Sequence, residues 1–264
     1  MNKSTRIEPL RFAAVSRGLM KKAMRLVMVV LLPVLFMTSG RWAAEAATFN
    51  GPRGIVKDAS GNLYVVDSAN HVIRKIAPNG VVSTFAGFPG LNGSVDGTGA
   101  GAQFYQPNGV AIDASGNLYI ADSSNHTIRK ITPAGVVTTF AGTAGVSGSA
   151  DGTGGAAQFN NPVGVVIDGS GNLYVADQGN QTIRKITAGG AVTTLAGGVG
   201  LSGNTDGTGS AARFYNPNGL AVDSLGNVFV GDTGNHTIRK ITPAGVVTTF
   251  AGSAGLSGNV DATG

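Results

Sequence analysis

The sequence lacks several residue types that carry common chemistry. It contains no cysteine, which excludes disulfides and thiolate metal sites. No glutamate follows Glu45, so the rest of the chain lacks the usual general acid of raised pKa. Charged residues make up 12% and aromatic residues 6% of the 264 residues, whereas 42 residues are glycine. Abundant glycine with few helix-forming residues predicts many short strands joined by turns.

The positive charge of the chain is confined to its first residues. The formal net charge is +5, but residues 1–46 contain eight Lys and Arg against two Glu. Residues 47–264 contain eleven Lys and Arg against twelve Asp, which gives them a net charge of −1. A surface that binds nucleic acid needs clustered positive charge to displace the counterions of the phosphates. We therefore expect no nucleic-acid partner.

Residues 1–46 have the three parts of a secretory signal peptide. A basic segment ends at Arg25, an apolar stretch of 12 residues runs from Leu26 to Met37, and an A-x-A cleavage site ends at Ala46. Such a stretch is too short to span a bilayer core of about 30 Å as a helix. The sequence predicts a secreted or periplasmic mature chain without a membrane span. The alternative is an uncleaved leader that anchors the chain to the membrane at its N-terminus.

The rest of the chain is a tandem repeat with a period of 55 residues. The four copies begin at Phe49, Phe104, Phe159 and Phe214 and cover residues 49–103, 104–158, 159–213 and 214–264. The copies are so alike that 125–142 and 235–252 have the same sequence. A fixed period of this length is typical of solenoids and propellers.

Each repeat predicts four strands, a to d. In the second repeat these are 109–113, 117–122, 127–132 and 136–141, separated by three turns. Strands a and b are apolar on both faces, so neighbouring repeats must cover both sides of each small sheet. Radial stacking of such sheets gives a β-propeller. The predicted fold class is all-β, with four blades of four antiparallel strands, and a linear β-solenoid is the alternative.

A longer pattern within each repeat resembles a known family. The pattern P-x-G-V-A-I-D-x-x-G-N-L-Y-I-A-D-x-x-N-H-x-I-R-K-I, with substitutions between copies, occurs at 52–76, 107–131, 162–186 and 217–241. It resembles the NHL repeat. Glycine-rich linkers of the AG-x-x-G-x-x-G-x-x-DG type, found in exported bacterial members, lie at 86–97, 141–152, 196–207 and 251–261. The resemblance implies a β-propeller, although propellers of this family usually have more than four blades.

The ends of the repeat array differ from its middle. The first repeat has Lys57 where the others have Ile112, Ile167 and Val222, and lysine is rarely buried without a partner. We expect this face of blade 1 to contact water, as in a capping repeat. No strand is left over to complete another blade. An open four-blade arc, part of a larger ring and a strained closed ring all fit the sequence, and self-association would complete a ring from arcs.

All acidic residues of the repeats are aspartates at three repeat positions. The first set lies in a–b turns, and the second ends strand b, where backbone N–H groups of the b–c turn are the expected partners. Both are interpreted as structural. The third set lies in the linkers and is a weak candidate for calcium, which binds carboxylates on loops. The sets are Asp58, Asp113, Asp168 and Asp223; Asp67, Asp122, Asp177 and Asp232; and Asp96, Asp151, Asp206 and Asp261. With one aspartate per loop, we expect no cofactor, and calcium is the alternative.

Histidine also occupies one repeat position, with glutamine in the third copy. Equivalent positions on neighbouring blades lie on the order of 10 Å apart, too far to share a zinc ion with bonds of about 2 Å. The Arg-Lys pair in each strand c is interpreted as a source of salt bridges between blades. No nucleophile and base form a pair apart from the repeated positions, so the blades supply the same groups at several remote points. Catalysis needs different groups that converge on one point.

One face of the propeller is the predicted binding surface. Strands alternate in direction, so the b–c turns and the linkers fall on the same face, and recognition usually occurs on loops of a rigid scaffold. The candidate residues are Arg53, His71, Asn108, His126, Gln181, Asn218 and His236. We expect a non-catalytic binding or scaffold module whose partner is a protein or a cell-wall glycan. The alternative is a metal-dependent propeller enzyme of the lyase or lactonase type.

Overall fold

A computed structural model describes residues 47–261, which form four β-sheets. The predicted signal peptide, 1–46, lies outside these residues. Each sheet corresponds to one repeat, and its strands a to d are hydrogen-bonded in chain order. The predicted all-β fold with four blades is confirmed. Among residues 47–261, no helix is long and apolar enough to cross a membrane.

The strands have the following bounds. Blade 1 contains β1 (Pro52–Lys57), β2 (Leu63–Asp67), β3 (Val72–Ile76) and β4 (Val82–Ala86). Blade 2 contains β5 (Gly97–Thr98), β6 (Pro107–Ile112), β7 (Leu118–Asp122), β8 (Thr127–Ile131) and β9 (Val136–Ala141). Blade 3 contains β10 (Gly152–Thr153), β11 (Pro162–Ile167), β12 (Leu173–Asp177), β13 (Thr182–Ile186) and β14 (Ala191–Ala196). Blade 4 contains β15 (Gly207–Thr208), β16 (Pro217–Val222), β17 (Val228–Asp232), β18 (Thr237–Ile241) and β19 (Val246–Ala251).

The first set of aspartates shapes the a–b turns. Asp113 Oδ1 accepts hydrogen bonds from the backbone N–H groups of Ser115 at 2.9 Å and Asn117 at 2.8 Å. Its Oδ2 accepts from the side chain of Asn117. Burial acts to raise the pKa of Asp113, but the hydrogen bonds from Asn117 and Ser115 together lower it. This aspartate therefore stabilises the turn as an ionised hydrogen-bond acceptor.

The glycine-rich linkers join the sheets that follow them. Strand β5 pairs with β9, β10 with β14, and β15 with β19, each time antiparallel. Gly97 thus lies opposite Val137 at the outer edge of blade 2. Within the part of the chain that the structure describes, blades 2 to 4 therefore have a short fifth strand in addition to the four that the sequence predicts.

Apolar cores lie between neighbouring blades. Between blades 1 and 2, Tyr64, Val66 and Ile73 of the first blade pack with Phe104 and Leu118 of the second. Equivalent residues form the cores between blades 2 and 3 and between blades 3 and 4. Because burial of a large apolar side chain stabilises the folded state by roughly 1.5–3 kcal/mol, these cores hold the blades together without disulfides.

The array is open between blade 4 and blade 1. Strand β1 packs on β6, β6 on β11, and β11 on β16, so the strands a line the axis. Within residues 47–261, no comparable packing joins β16 to β1. Lys57 is exposed, as predicted, and Ile55 on the same blade is 57% exposed. The described residues therefore do not form the closed four-blade ring.

Candidate binding site at the blade axis

A buried ion network links each of blades 2 to 4 to the linker before it. In blade 2, Asp122 accepts hydrogen bonds from Arg129 Nη1 at 2.9 Å, from Asn125 Nδ2 at 2.8 Å and from the backbone N–H of Tyr105 at 2.8 Å. Arg129 Nη2 also donates to Asp96 Oδ1 at 2.7 Å. The arginine therefore bridges two aspartates, one from its own blade and one from the preceding repeat.

Two sequence interpretations of this network need correction. The backbone N–H group bound by Asp122 belongs to Tyr105, which precedes strand a, and not to the b–c turn. One of the salt bridges, Arg129 to Asp122, lies within a single blade rather than between blades. Asp122 thus binds Tyr105, which lies just before strand a, and Arg129, which lies in strand c. By joining these two segments, the network fixes where each blade begins.

Burial dominates the electrostatics of this network in blades 2 and 3. It raises the pKa of Asp122 to about 6, although hydrogen bonds from Asn125 and Tyr105 and the charge of Arg129 act to lower it. The pKa of Asp177 is raised to about 6 for the same reason. The Arg129 guanidinium also lies over the Phe104 ring, 5.2 Å from its centroid. A buried charge that loses its partner is strongly destabilising, so the network is structural.

The linker aspartates considered for calcium have arginine partners instead. Asp96, Asp151 and Asp206 lie 2.7, 2.8 and 2.7 Å from the guanidinium nitrogens of Arg129, Arg184 and Arg239. Asp261 lies at the end of the described residues. Among residues 47–261, no three His, Asp or Glu side chains are grouped closely enough to hold a metal ion. In this structure these carboxylates bind arginine.

The histidine position joins neighbouring blades. In three copies its side chain accepts a hydrogen bond from the backbone N–H of the residue that precedes the first proline of the next blade. The pairs are His71 with Gln106 at 3.2 Å, His126 with Asn161 at 3.0 Å, and Gln181 with Asn216 at 2.7 Å. Only neutral imidazole accepts at Nδ1, and burial lowers the pKa of His126. Glutamine substitutes for histidine here because both side chains supply an acceptor.

A polar cavity of about 350 Å³ lies where the blades meet at the axis. Its lining residues come from strands a (Arg53, Asn108, Val163, Asn218), from the residues just before them (Gly51, Gln106, Asn161) and from the b–c turns (Ser68, Ala69, Ser123, Gln178). The lining contains one cation, no carboxylate, and a majority of amides and hydroxyls. A second cavity, of about 540 Å³, runs along the strands a and shares the four strand residues.

Two amides of the axial cavity are held in place by the b–c turns. Ser124 Oγ donates to Gln106 Oε1 at 3.1 Å, and Asn161 Nδ2 donates to Gln178 Oε1 at 3.2 Å. Gln106 and Asn161 have φ angles of 47° and 51°. Residues other than glycine rarely adopt this left-handed conformation, and where they do they cluster at functional sites. The backbone thus fixes two polar groups in the wall of the cavity.

The structure separates the seven predicted binding residues. Arg53, Asn108 and Asn218 line the axial cavity. The others lie elsewhere: His71, His126 and Gln181 between blades, and His236 in a different cavity on the outer face of blade 4. Sequence reasoning missed Gln106, Asn161 and the b–c turn side chains. For Gln106 and Asn161 the available signal was a polar residue directly before the proline that begins strand a.

Comparison with known proteins identifies the repeat. The NHL repeat family matches residues 104–131, 159–186 and 214–241. The chain is 29% identical over 247 residues to NHL repeat-containing protein 2 of Bos taurus, a match that covers 80% of this chain and 34% of that protein. The chain thus spans about a third of the length of this relative, and a quarter of the chloroplastic protein SUPPRESSOR OF QUENCHING 1 of Arabidopsis thaliana, which is also 29% identical.

Solved structures show the same fold. A structural genomics protein of unknown function from Bacteroides thetaiotaomicron is 29% identical, with a TM-score of 0.61. The match covers 72% of this chain and 46% of that one. This chain therefore corresponds to less than half of a related solved chain.

Proposed function

Because the chain carries NHL repeats, we propose that it is a binding module that recognises a glycan or protein partner in the axial cavity. The observation that supports this function is the convergence of Arg53, Asn108 and Asn218 from three blades on one cavity. At about 350 Å³ the cavity lies within the range of about 300–1,000 Å³ that is usual for ligand sites.

The chemistry of the lining favours a polar ligand that carries negative charge. Amides and hydroxyls can each donate and accept hydrogen bonds, which suits the hydroxyl groups of a saccharide. Arg53 adds a planar cation that matches a carboxylate. Tyr105, which precedes Gln106, is 38% exposed, and its ring packs edge-on against His71 with the ring centroids 5.7 Å apart. An acidic glycan is therefore the first candidate, and an acidic peptide segment is the second.

The residues outside the cavity support a binding role rather than a catalytic one. Asp122 and Arg129 are buried in an ion pair, and His71 and His126 accept hydrogen bonds from backbone N–H groups. These groups stabilise the blades. The polar side chains that do face the cavity are amides, hydroxyls and one arginine, which bind and orient a ligand but are weak acids and bases.

An array of acidic and neutral saccharides and of acidic and neutral peptides tests the proposal. The full chain should bind acidic saccharides in preference to their neutral counterparts, because only the former can pair with Arg53. A matched chain with Lys240→Ala should bind equally well, since Lys240 lies over the Phe229 ring of its own blade, 5.9 Å from the centroid. The proposal would be contradicted if the chain bound no member of the array, or if it bound acidic and neutral members equally well.

Export belongs to the same proposal. A cell-wall or surface partner requires the binding unit to leave the cytoplasm, and the A-x-A site that ends at Ala46 supplies the signal. N-terminal sequencing of protein recovered from the medium or the periplasm should find Ala47 as the first residue. Protein that stays in the cytoplasm with its leader intact would contradict export.

A further inference from the structure

The residue before the proline that begins strand a has an unfavourable backbone in blades 2 to 4. Gln106, Asn161 and Asn216 have φ angles of 47°, 51° and 51°. A residue before proline favours an extended backbone, and residues other than glycine rarely adopt a positive φ. Such a conformation persists only where the surrounding structure holds it. The contacts of these three residues therefore decide whether they keep their place at the axis.

Asn161 is held by contacts from two blades. The N–H of Asn160, just before it, donates to Asp177 Oδ1 of the same blade at 2.7 Å. The side chain of Asn161 donates to Gln178 Oε1, also of that blade, at 3.2 Å. Its backbone N–H donates to His126 Nδ1 of the preceding blade at 3.0 Å. The place of Asn161 in the wall of the axial cavity thus depends on a histidine of another blade.

The bond from Asn161 to His126 exists in one protonation state of the imidazole. Nδ1 accepts a hydrogen bond only when the ring is neutral and its proton is on Nε2. A protonated ring carries N–H groups at both nitrogens and would turn one of them toward the N–H of Asn161. Burial lowers the pKa of His126 from its ordinary value of 6.5. His126 is therefore neutral and bound to Asn161 at neutral pH, and it loses this bond in acid.

The charged groups on the elements around the histidines have partners of their own. Burial is the cause that lowers the pKa of His126, and none of the described charged groups contributes to the change. The ring that lies against His71 is Tyr105, edge-on. The ion pairs join Arg74 to Asp67, Arg129 to Asp96 and Asp122, and Arg184 to Asp151 and Asp177, and Lys75, Lys130 and Lys185 lie over the rings of Tyr64, Tyr119 and Tyr174. The protonation of His126 therefore follows the pH of the solvent rather than a neighbouring charge.

Blade 3 makes the same contact without a titratable group. Gln181 Oε1 accepts the backbone N–H of Asn216 at 2.7 Å. Gln181 and His126 have nearly the same backbone, with φ angles of 58° and 59°. The chain therefore contains, one blade further on, a version of the contact that does not respond to pH.

We propose that His126 is a positioning residue of the axial cavity, and that its protonation releases Asn161 and weakens binding in acid. The effect on binding rests on the proposed function, whereas the release of Asn161 does not. His71 has the same role toward Gln106, at 3.2 Å and in an exposed contact, so its effect should be smaller. A partner bound at neutral pH would thus be released as the pH falls.

The stability of the whole chain does not report this contact. A histidine that is kept neutral contributes stability that is lost as the pH falls through its folded pKa. Asp122 and Asp177, whose pKa values are raised to about 6, contribute with the opposite sign in the same range. Measurements at the contact itself separate the two effects.

Hydrogen exchange of single backbone amides, followed by NMR on the full chain, tests the release of Asn161. Relative to the intrinsic exchange rate at each pH, protection of the wild-type Asn161 N–H should fall by about three- to tenfold between about pH 7.5 and about pH 4.5. His126→Gln should keep this protection at both pH values, and His126→Ala should lack it at both. The Asn216 N–H, which is bound by Gln181, is the internal control and should stay protected in every chain.

Binding of an oligosaccharide of uronic acids tests the coupling to the cavity. The wild-type chain should bind it about three- to tenfold more weakly at about pH 4.5 than at about pH 7.5. His71→Gln/His126→Gln should remove most of this difference, because both positions then accept a hydrogen bond at either pH. The double variant keeps Asp122, Asp177 and the same saccharide, so their titration affects both chains alike and cancels in the comparison.

Each measurement has a result that would overturn the proposal. Protection of Asn161 that is unchanged by pH in the wild type, or that falls equally in His126→Gln, would overturn the positioning role. A pH dependence of binding that the double variant retains in full would overturn the coupling to the cavity. If the wild-type chain does not bind the oligosaccharide at about pH 7.5, the first candidate of the proposed function fails, while the exchange of Asn161 still decides the role of His126.

Discussion

Each repeat contributes residues both to the ion network and to the axial cavity. The network residues are the same in blades 2 to 4, whereas the cavity residues vary from repeat to repeat. In blades 2, 3 and 4 the arginine lies 2.9, 2.9 and 3.0 Å from the aspartate of its own blade. In the axial cavity the second residue of strand a varies between copies and is asparagine in only two of them. These residues are Arg53, Asn108, Val163 and Asn218.

This difference separates stability from recognition. A network that is buried and repeated must keep its arginine and its aspartate in each blade, because an unpaired buried charge is costly wherever it occurs. Residues in a cavity wall that faces solvent are free to differ between repeats. These differences make the cavity asymmetric although the blades repeat. Substitutions in the network should therefore change folding, whereas substitutions in the cavity should change binding.

The largest effect is expected from breaking the network. Arg184→Ala leaves Asp177 buried without its cation and should destabilise the chain by about 3–5 kcal/mol. Arg74→Ala is the matched control, because Arg74 is 19% exposed and lies 3.4 Å from Asp67. Arg74→Ala should lower the free energy of unfolding by clearly less than Arg184→Ala does. Urea unfolding of both variants measures the difference, and equal losses would show that burial of the pair does not set its importance.

The second effect is a fall in stability as the pH rises from 4 to 6. The pKa values of Asp122 and Asp177 are raised to about 6 by burial. The folded state then binds more protons than the unfolded state in this range, so the free energy of unfolding decreases as the pH rises. The change should be on the order of 2 kcal/mol for each carboxylate.

Below pH 4 the sign reverses. The pKa values of Asp113 and Asp168 are lowered by hydrogen bonds that outweigh burial, so their contribution to stability is lost as the pH falls below the ordinary value of 3.8. The combined contribution of these four aspartates to stability should therefore be highest near pH 4. Thermal unfolding across the pH range, with NMR titration of the Asp122 carboxyl carbon, measures this profile. A stability that rises steadily from pH 4 to 6 would contradict it.

A smaller effect distinguishes Arg53 and Arg213, the two arginines of residues 47–261 that lie outside the Arg-Lys pairs. Arg213 donates to the backbone carbonyls of Ser210 and Ala212 at 2.6 and 2.7 Å, so Arg213→Ala should cost about 1 kcal/mol of unfolding free energy. Arg53 is exposed at the mouth of the axial cavity, and Arg53→Ala should stay within about 0.5 kcal/mol of the wild type. A loss of stability in Arg53→Ala would assign it a structural role instead.

The smallest effect concerns a buried hydroxyl. Thr127 Oγ1 is buried and has no hydrogen-bond partner within the described residues, and blade 1 has Val72 at the same position. Thr127→Val should be neutral or stabilise the chain by up to about 1 kcal/mol. Thr139→Val removes a hydroxyl that donates to Asp96 at 3.2 Å and should be mildly destabilising. Both changes can be read from midpoint temperatures of unfolding.

The fold was largely predictable because the repeat shows each strand four times. The period of Phe49, Phe104, Phe159 and Phe214 defined the blades, and Lys57 indicated an exposed end. The site was less predictable. His126 looked like a surface residue for recognition, yet its Nδ1 binds a backbone N–H of the next blade. Gln106 gave a weaker signal, since its place in the cavity depends on a left-handed backbone that glutamine itself does not favour.

Recognition in the axial cavity is tested by comparing Arg53→Ala/Asn108→Ala with the wild-type chain on one array of saccharides and peptides. Both residues line the axial cavity and neither belongs to the ion network. The double variant should keep the unfolding midpoint of the wild type and lose about tenfold or more in binding to every ligand that the wild type captures. Unchanged binding with an intact fold would show that recognition occurs elsewhere on the chain.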